Sequence, residues 1–488
     1  MPPLPPPREA RRIALPPRDA LLAAETDVLV VGGGPAGLGA AVAASEAGAR
    51  VVLAERYGFL GGNATAALVM PLTSFHAHRS IRPKEGSVSL LPTDQGPGEP
   101  VVSGVLRRLV ERLAAAGGAD RPTEATGFAV PFDPEVFKLV AMDLVDEARV
   151  QVLLHAFAID VVGPRGRPEG VVFATKSGPV VVKARVTVDC TGDGDIAALA
   201  GAPFEVGRDL DGLVQPMTLY FRMGEFERSA FAAYVKAHPD EWRSVHGLRD
   251  LIDRATAAGD LDLPREDVLF FATPHPREVA VNCTRVTGLF GTSVFDLTRA
   301  EWAARGQMRQ VLAFLRKYVP GFERAYNIQS GAQIGVRESR RITGEYRLTA
   351  DDILSARKFD DVIARGAYPV DIHNPAGRGT LLKRVPAGDA YDIPLRCLLP
   401  QRVDGLVVAG RCISGTHEAH SSYRVMPISM ATGQAAGVTA ALAAKANVPP
   451  RDLPARVVQR ELARQGADVR GVTGEESPRG VARPGGRG

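Results

Sequence analysis

The chain has 488 residues, with 59 Lys or Arg against 55 Asp or Glu, for a formal net charge of +4. That balance argues against a nucleic-acid partner, and 45% hydrophobic with 23% charged residues is ordinary for a globular protein of two or three domains. The four cysteines, Cys190, Cys283, Cys397 and Cys412, form no C-x-x-C pair, which excludes a local redox disulfide, a cysteine-held zinc and an iron–sulfur cluster of standard spacing.

Residues 1–24 are proline-rich and lack a continuous apolar run, so they read as a flexible leader and not a signal peptide. No segment reads as a membrane span. Together with the sparse cysteines this points to the cytoplasm.

Residues 27–55, DVLVVGGGPAGLGAAVAASEAGARVVLAE, read as strand, glycine turn, helix, strand and acid. The apolar run at 27–31 suits a buried parallel strand. Gly32, Gly34 and Gly37 then make G-x-G-x-x-G. The first permits the turn, the second lets backbone approach a pyrophosphate, and the third lets helix pack on strand. Pro35 and Ala36 open a helix whose positive end points at phosphate. Glu55 ends the second strand, placed for a ribose 2′-OH.

Beyond Glu55 and Arg56, the residues Gly61, Gly62, Asn63, Ala64 and Thr65 place a second glycine pair where an NAD domain would enter its next helix. Here the chain resembles flavoproteins with a glutathione-reductase-type FAD fold, in which this second glycine motif is usual. The implied cofactor is FAD.

A helix is expected over 102–116, and Asp133-Pro134 opens another, with Asp as N-cap. Strands follow at 150–159, 170–175 and 180–188, the last leading into TGDGD at 191–195. There Gly192 permits close backbone approach, and Asp193 or Asp195 is expected to cap the next helix. Residues 203–399 alternate strand-like and helical pieces. Residues 405–411 restore a buried strand ending in Gly410-Arg411, and 430–445 read as a small-residue helix including Gly433 and Gln434.

The run at 405–437, with GVRESRRI at 335–342 and YPVDIH at 368–373, resembles a bacterial FAD-dependent oxidoreductase family distantly related to fumarate reductase and aspartate oxidase flavoproteins. The resemblance spans about residues 27–453. It implies an α/β protein: a doubly wound, Rossmann-like FAD domain with a β-meander (25–202 and 400–453) and an inserted α+β substrate or cap domain (203–399). Residues 466–488, rich in Gly, Arg, Pro and Glu, read as a disordered tail. The resemblance implies that N–H groups of 429–434 face the flavin. It also implies that His417, His420 and Arg424, in a loop with Glu418 and Tyr423, serve acid–base chemistry and substrate clamping. Arg337 and Arg340 are further candidates, and His373, His76 and His78 weaker ones. Arg411 stands where many relatives carry a carboxylate. His417-x-x-His420 has no evident third ligand, so no metal is expected.

The expected function is hydride transfer between a small substrate, anionic if Arg424 clamps it, and flavin N5, with an electron acceptor that the sequence does not name. The alternatives are a monooxygenase- or halogenase-type flavin enzyme, an NAD enzyme without flavin, and a non-enzymatic electron-relay subunit.

Overall fold

A computed structural model describes residues 3–7, 13–78, 88–92 and 98–471. The tail expectation for 472–488, and parts of the leader and of the Gly/Pro-rich stretch near 86–100, lie outside the described residues.

The chain opens with β1 (Leu21–Val31), α1 (Pro35–Glu46) and β2 (Val51–Ala54). Next come α2 (Val105–Ala115), α3 (Pro134–Glu147), β3 (Gln151–Leu153), β4 (Phe157–Val162), β5 (Gly170–Thr175), β6 (Gly178–Asp189) and α4 (Asp195–Leu199). Asp133 caps α3 by accepting from the Glu135 and Val136 N–H groups. β1 begins inside the stretch expected to be leader, because Leu21 to Ala24 pair with β6. The run 150–159 divides into β3 and β4.

One sheet runs β3-β2-β1-β6-β5-β4 and takes a seventh strand beside β6, β19, defined below. β1, β2, β3 and β6 are parallel, and β4, β5 and β6 form an antiparallel meander. Val28, Leu29 and Val30 are fully buried, as strands covered on both faces require.

The middle of the chain supplies β7 (Phe204–Val206), β8 (Phe221–Gly224), α5 (Arg228–Ala237), β9 (Trp242–Arg243), β10 (His246–Gly247), α6 (Arg249–Ala257), β11 (Val268–Ala272), β12 (Val279–Val281), α7 (Val294–Tyr318) and β13 (Tyr326–Ser330). A second, antiparallel sheet runs β13-β8-β12-β11-β10-β9. Its buried face holds Trp242, Phe231 and Phe270, with ring centroids 4.5 to 5.1 Å apart. Such aromatic pairs contribute beyond their buried area.

β14 (Arg340–Ile342), α8 (Ala350–Leu354), β15 (Val362–Gly366), β16 (Val370–His373), β17 (Thr380–Lys383) and β18 (Tyr391–Pro394) follow. The chain then returns to the first sheet with β19 (Leu406–Val408), parallel to β6. It ends in α9 (His417–Tyr423), α10 (Met426–Ala446) and α11 (Ala455–Arg464). α10 packs against α1 at a distance only glycine permits. A Cβ on Gly433 would sit 2.0 Å from the Ala36 carbonyl oxygen, and one on Gly437 would sit 2.1 Å from that of Ala40.

The main core extends past residue 453. Val458 and Leu462 of α11 are buried in the main core, as is Val469. Asp468 and Arg470 pair with Arg365 and Asp392, so the stretch expected to begin a disordered tail at 466 is docked as far as 470. Among the described residues, no helix is long and apolar enough to cross a membrane.

Candidate functional site

A long cleft opens above the ends of β1, β6 and β19. Gly32, Gly34, Pro35 and Ala36 form one wall, and Gly62, Asn63, Glu55 and Arg56 stand beside it. Gly32 has φ of +101°. A Cβ on Gly62, at φ +51°, would lie 2.8 Å from the Gly34 Cα, so the two glycine turns face each other at backbone contact. α1 begins at Pro35 with no side-chain cap, which leaves its first N–H groups and its dipole for a ligand.

Glu55 is buried, and burial raises its pKa. Its Oε2 accepts the Gly33 N–H at 2.6 Å and its Oε1 accepts the Tyr57 N–H at 3.0 Å. Two lone pairs remain for a ligand hydroxyl.

The strand end at Asp189 is built differently from expectation. Neither Asp193 nor Asp195 caps α4, whose N-cap is Gly194. The carboxylate that orders this turn is the wholly buried Asp189, which accepts from the Thr191 N–H, the Thr191 hydroxyl and the Ala197 N–H. Asp193 is free for another task. Its Oδ1 accepts from Arg411 at 2.7 Å and from the Ser339 hydroxyl at 2.6 Å. Burial alone would raise the Asp193 pKa; Arg411 and Ser339 outweigh it and the net shift is downward. Arg411 therefore answers a carboxylate from a different strand, and both line the cleft with Gly192 and Gly410. Arg340 is turned away to pair with Asp195 and the Asp193 carbonyl, and it lines neither cavity described here. Asp195 lines the cleft, and burial with the neighbouring Asp193 and Asp189 pushes its pKa up to about 6.

Several residues expected to touch the cofactor hold the scaffold instead. Gly37 packs turn against helix, since a Cβ there would sit 1.7 Å from the Gly32 carbonyl oxygen. Gly61 donates its N–H to the Gly33 carbonyl, and Thr65 donates to the Leu60 carbonyl. Gly433 lies on α1, and the Gln434 side chain accepts the Val105 N–H. α10 begins at Met426, four residues before the expected start, with Pro427 in its first turn. Its unspent N–H groups are those of Met426 and Ile428, because Ser429 already donates to the Val425 carbonyl and 430–434 lie deeper in the helix. The N-terminus of α10 does reach the cleft, through Met426 and Ser429.

The cleft meets a second cavity of about 450 Å³. Asn63, Val336, Arg411, Arg424 and Met426 line both. Arg337, Arg265, His373, Asp371, Tyr368 and Tyr220 line the second cavity. Apart from Arg411, its guanidinium groups are scarcely spent inside the protein. Arg337 donates to the Pro216 carbonyl and Arg265 to the Asn282 carbonyl. Arg424 stands 3.9 Å from Asp371, and its Nε has no partner. Burial, then the adjacent Arg424, lowers the Arg337 pKa to about 9. Burial, with Arg337, Arg265, Arg424 and Arg285 around it, holds His373 well below the usual histidine range. The His373 Nε2 is 3.7 Å from Asp371, whose carboxylate also accepts from the Tyr368 hydroxyl at 2.9 Å.

His417 and His420, the first two catalytic candidates, line neither cavity. His417 is buried with its Nδ1 on Glu338, which also receives Arg341 and the Gln215 N–H. His420 is wholly buried and edge-on to Tyr423. Both sit in α9, whose last turn delivers Arg424. His76 stacks on Phe128 and bonds the Gly98 carbonyl, and neither His76 nor His78 lines either of these two cavities. Among the described residues no group of His, Cys, Asp or Glu could hold a metal. Arg265, Tyr368 and Tyr220 were not singled out as site residues from sequence. Arg265 lies in a polar turn with no local mark, whereas Tyr368 sits in the YPVDIH motif.

Residues 27–462 match the family model described as FAD dependent oxidoreductase. No curated protein matches the sequence. Solved structures match at low likeness. A geranylgeranyl bacteriochlorophyll reductase-like protein from Thermoplasma acidophilum is 12% identical, with 91% of this chain and 87% of that one covered and a TM-score of 0.44. A myxobacterial chondrochloren halogenase is 14% identical, with 90% and 80% covered and a TM-score of 0.43. A flavin-dependent brominase is 12% identical, with 91% and 85% covered and a TM-score of 0.44. With the family match over most of its length, the chain belongs to the FAD dependent oxidoreductase family: it is an enzyme, and its cofactor is FAD.

Proposed function

We propose that this enzyme moves hydride between flavin N5 and a small organic anion held in the second cavity. The motifs at 335–342 and 405–437 support the finer kinship with fumarate reductase and aspartate oxidase flavoproteins. The observation that carries the reading is the junction of the two cavities. A cleft with opposed glycine turns and a ribose-facing acid opens, at Arg424 and Met426, into a chamber of under-used guanidinium groups.

The cleft fits FAD. Its glycine contacts leave backbone where a phosphate must approach, and the Glu55 carboxylate has acceptor capacity to spare. Gly32, Gly34, Gly62, Glu55 and the start of α1 would hold the dinucleotide, and Asp193 and Gly410 would lie along its middle. When bound, FAD supplies the redox step. The chain supplies the rest. Arg337 and Arg424 bind and orient the anion beside the cleft mouth, using donors the protein leaves open. His373, held well below the usual histidine range by burial and the surrounding guanidinium groups, lines the chamber as a neutral hydrogen-bonding group. Asp371 orients that ring and the Tyr368 hydroxyl. The second sheet closes the chamber against water and acts as the cap. His417, through Glu338, fixes the segment carrying Arg337 against the helix that ends at Arg424. The setting is the cytoplasm, and an external acceptor reoxidises the enzyme.

The test is anaerobic bleaching of the bound flavin by a panel of hydroxy and carboxylic acids, each paired with its neutral amide. The reading expects bleaching by at least one acid and by none of the amides. Equal bleaching by an acid and its amide would contradict it.

A further inference from the structure

Apolar side chains make up part of the second cavity's lining. β11 alternates: Val268 and Phe270 enter the core behind the sheet, whereas Leu269 and Phe271 face the cavity. Phe271 joins Leu68, Tyr220 and Val245 in a small apolar cluster separate from the larger cores, with Leu269 and Val69 packed on it. Leu382 of β17 also lines the cavity while 46% exposed, an apolar surface the protein itself leaves uncovered.

Charge also lines the cavity, and His246 pairs with Leu269 across the sheet. Arg411 is spent on Asp193, and Asp267 is held by His246 and Arg249. That leaves Arg265, Arg337 and Arg424 facing one carboxylate, Asp371. For a ligand whose body lies along Phe271 and Leu269, a second charge placed there would be desolvated without compensation. A cavity of about 450 Å³ falls in the size range of small-molecule pockets and exceeds what a minimal acid needs.

We propose that the ligand of this cavity is an amphipathic monocarboxylate. Its carboxylate sits on Arg337 and Arg424, and its alkyl or aryl body lies along Leu269, Phe271, Val245 and Leu382. The proposal rests on the anionic-substrate reading above and narrows it.

The test is calorimetric titration of the FAD-loaded full chain with butyrate, hexanoate and octanoate, with hexanedioate and with hexanamide. The expected result is tighter binding along the acid series, about fourfold per added methylene. Hexanedioate should bind more weakly than hexanoate, and hexanamide at least tenfold more weakly. Leu269→Ala and Phe271→Ala should each flatten the chain-length dependence and leave butyrate within about twofold. Leu269→Ala keeps the test open if Phe271→Ala does not fold. A flat series, or tighter binding of hexanedioate, would overturn the amphipathic class and leave the anion reading standing. Acids that bind no better than hexanamide, in the parent and in Arg337→Gln alike, would overturn both.

Discussion

Gly34→Ala separates cofactor approach from folding. Gly34 has φ −74° and ψ −171°, a backbone that alanine adopts without strain. An added Cβ meets only the Gly62 Cα, at 3.7 Å, which is ordinary contact. The protein without FAD should therefore melt within a few degrees of the parent. The cost should fall on the cofactor, because the methyl occupies the space where backbone must touch phosphate. Overfilling a packed contact costs about 1–3 kcal/mol, or roughly 5- to 150-fold in affinity. Gly37→Ala is the contrast. Its Cβ would sit 1.7 Å from a backbone oxygen that cannot yield without moving the turn. It should lose about 2–4 kcal/mol of stability before any FAD is added. The assay is thermal unfolding of the deflavinated chain, followed by FAD titration read from fluorescence quenching. Parental FAD affinity in Gly34→Ala would refute the placement of phosphate at this turn.

Glu55→Gln keeps an acceptor for the Gly33 N–H but loses the charge facing the cleft, so FAD should bind about 1–3 kcal/mol more weakly in the same titration. His417→Ala leaves Glu338 short of one buried donor and should lower stability by about 1–3 kcal/mol in denaturant unfolding, whereas Arg424→Met should unfold as the parent does and retain FAD. Asp195 has its folded pKa raised from 3.8 to about 6, so its stabilising proton is lost as pH rises through that window. Asp195→Asn should accordingly raise stability at pH 8 by about 1 kcal/mol after allowance for its 36% side-chain exposure. The gain should shrink toward pH 4 in melts across that range.

The cofactor turn was legible because its signals are local. Strand, glycines, helix and acid lie within residues 27–55, and the structure places them in that order. Arg424 was named from its place in the loop before α10 and from the family resemblance, and the structure sets it on the lining of both cavities. What escaped the sequence is set by distance along the chain. Asp193 and Arg411 are 218 residues apart, so nothing near either one announces the pair. His417 and His420 look catalytic in a polar loop, yet α9 turns both inward, and Glu338 claims one of them. Gly433 and Gln434 were misread because the α10 start was set too late. Pro427, a first-turn residue, was the available signal. Arg265 entered only through folding, since β11 carries it to the cavity from an unmarked turn.

The central claim is that Arg337 and Arg424 hold an anion at the mouth of the FAD cleft. Its most direct measurement is rapid-mixing anaerobic flavin reduction by the best acid of the panel, in the parent, Arg337→Gln and Arg424→Met. All three should carry a full complement of FAD. The account predicts that both variants need at least tenfold more acid for half-maximal reduction, and that the paired amide reduces none of the three. Parental acid dependence in both variants would contradict it.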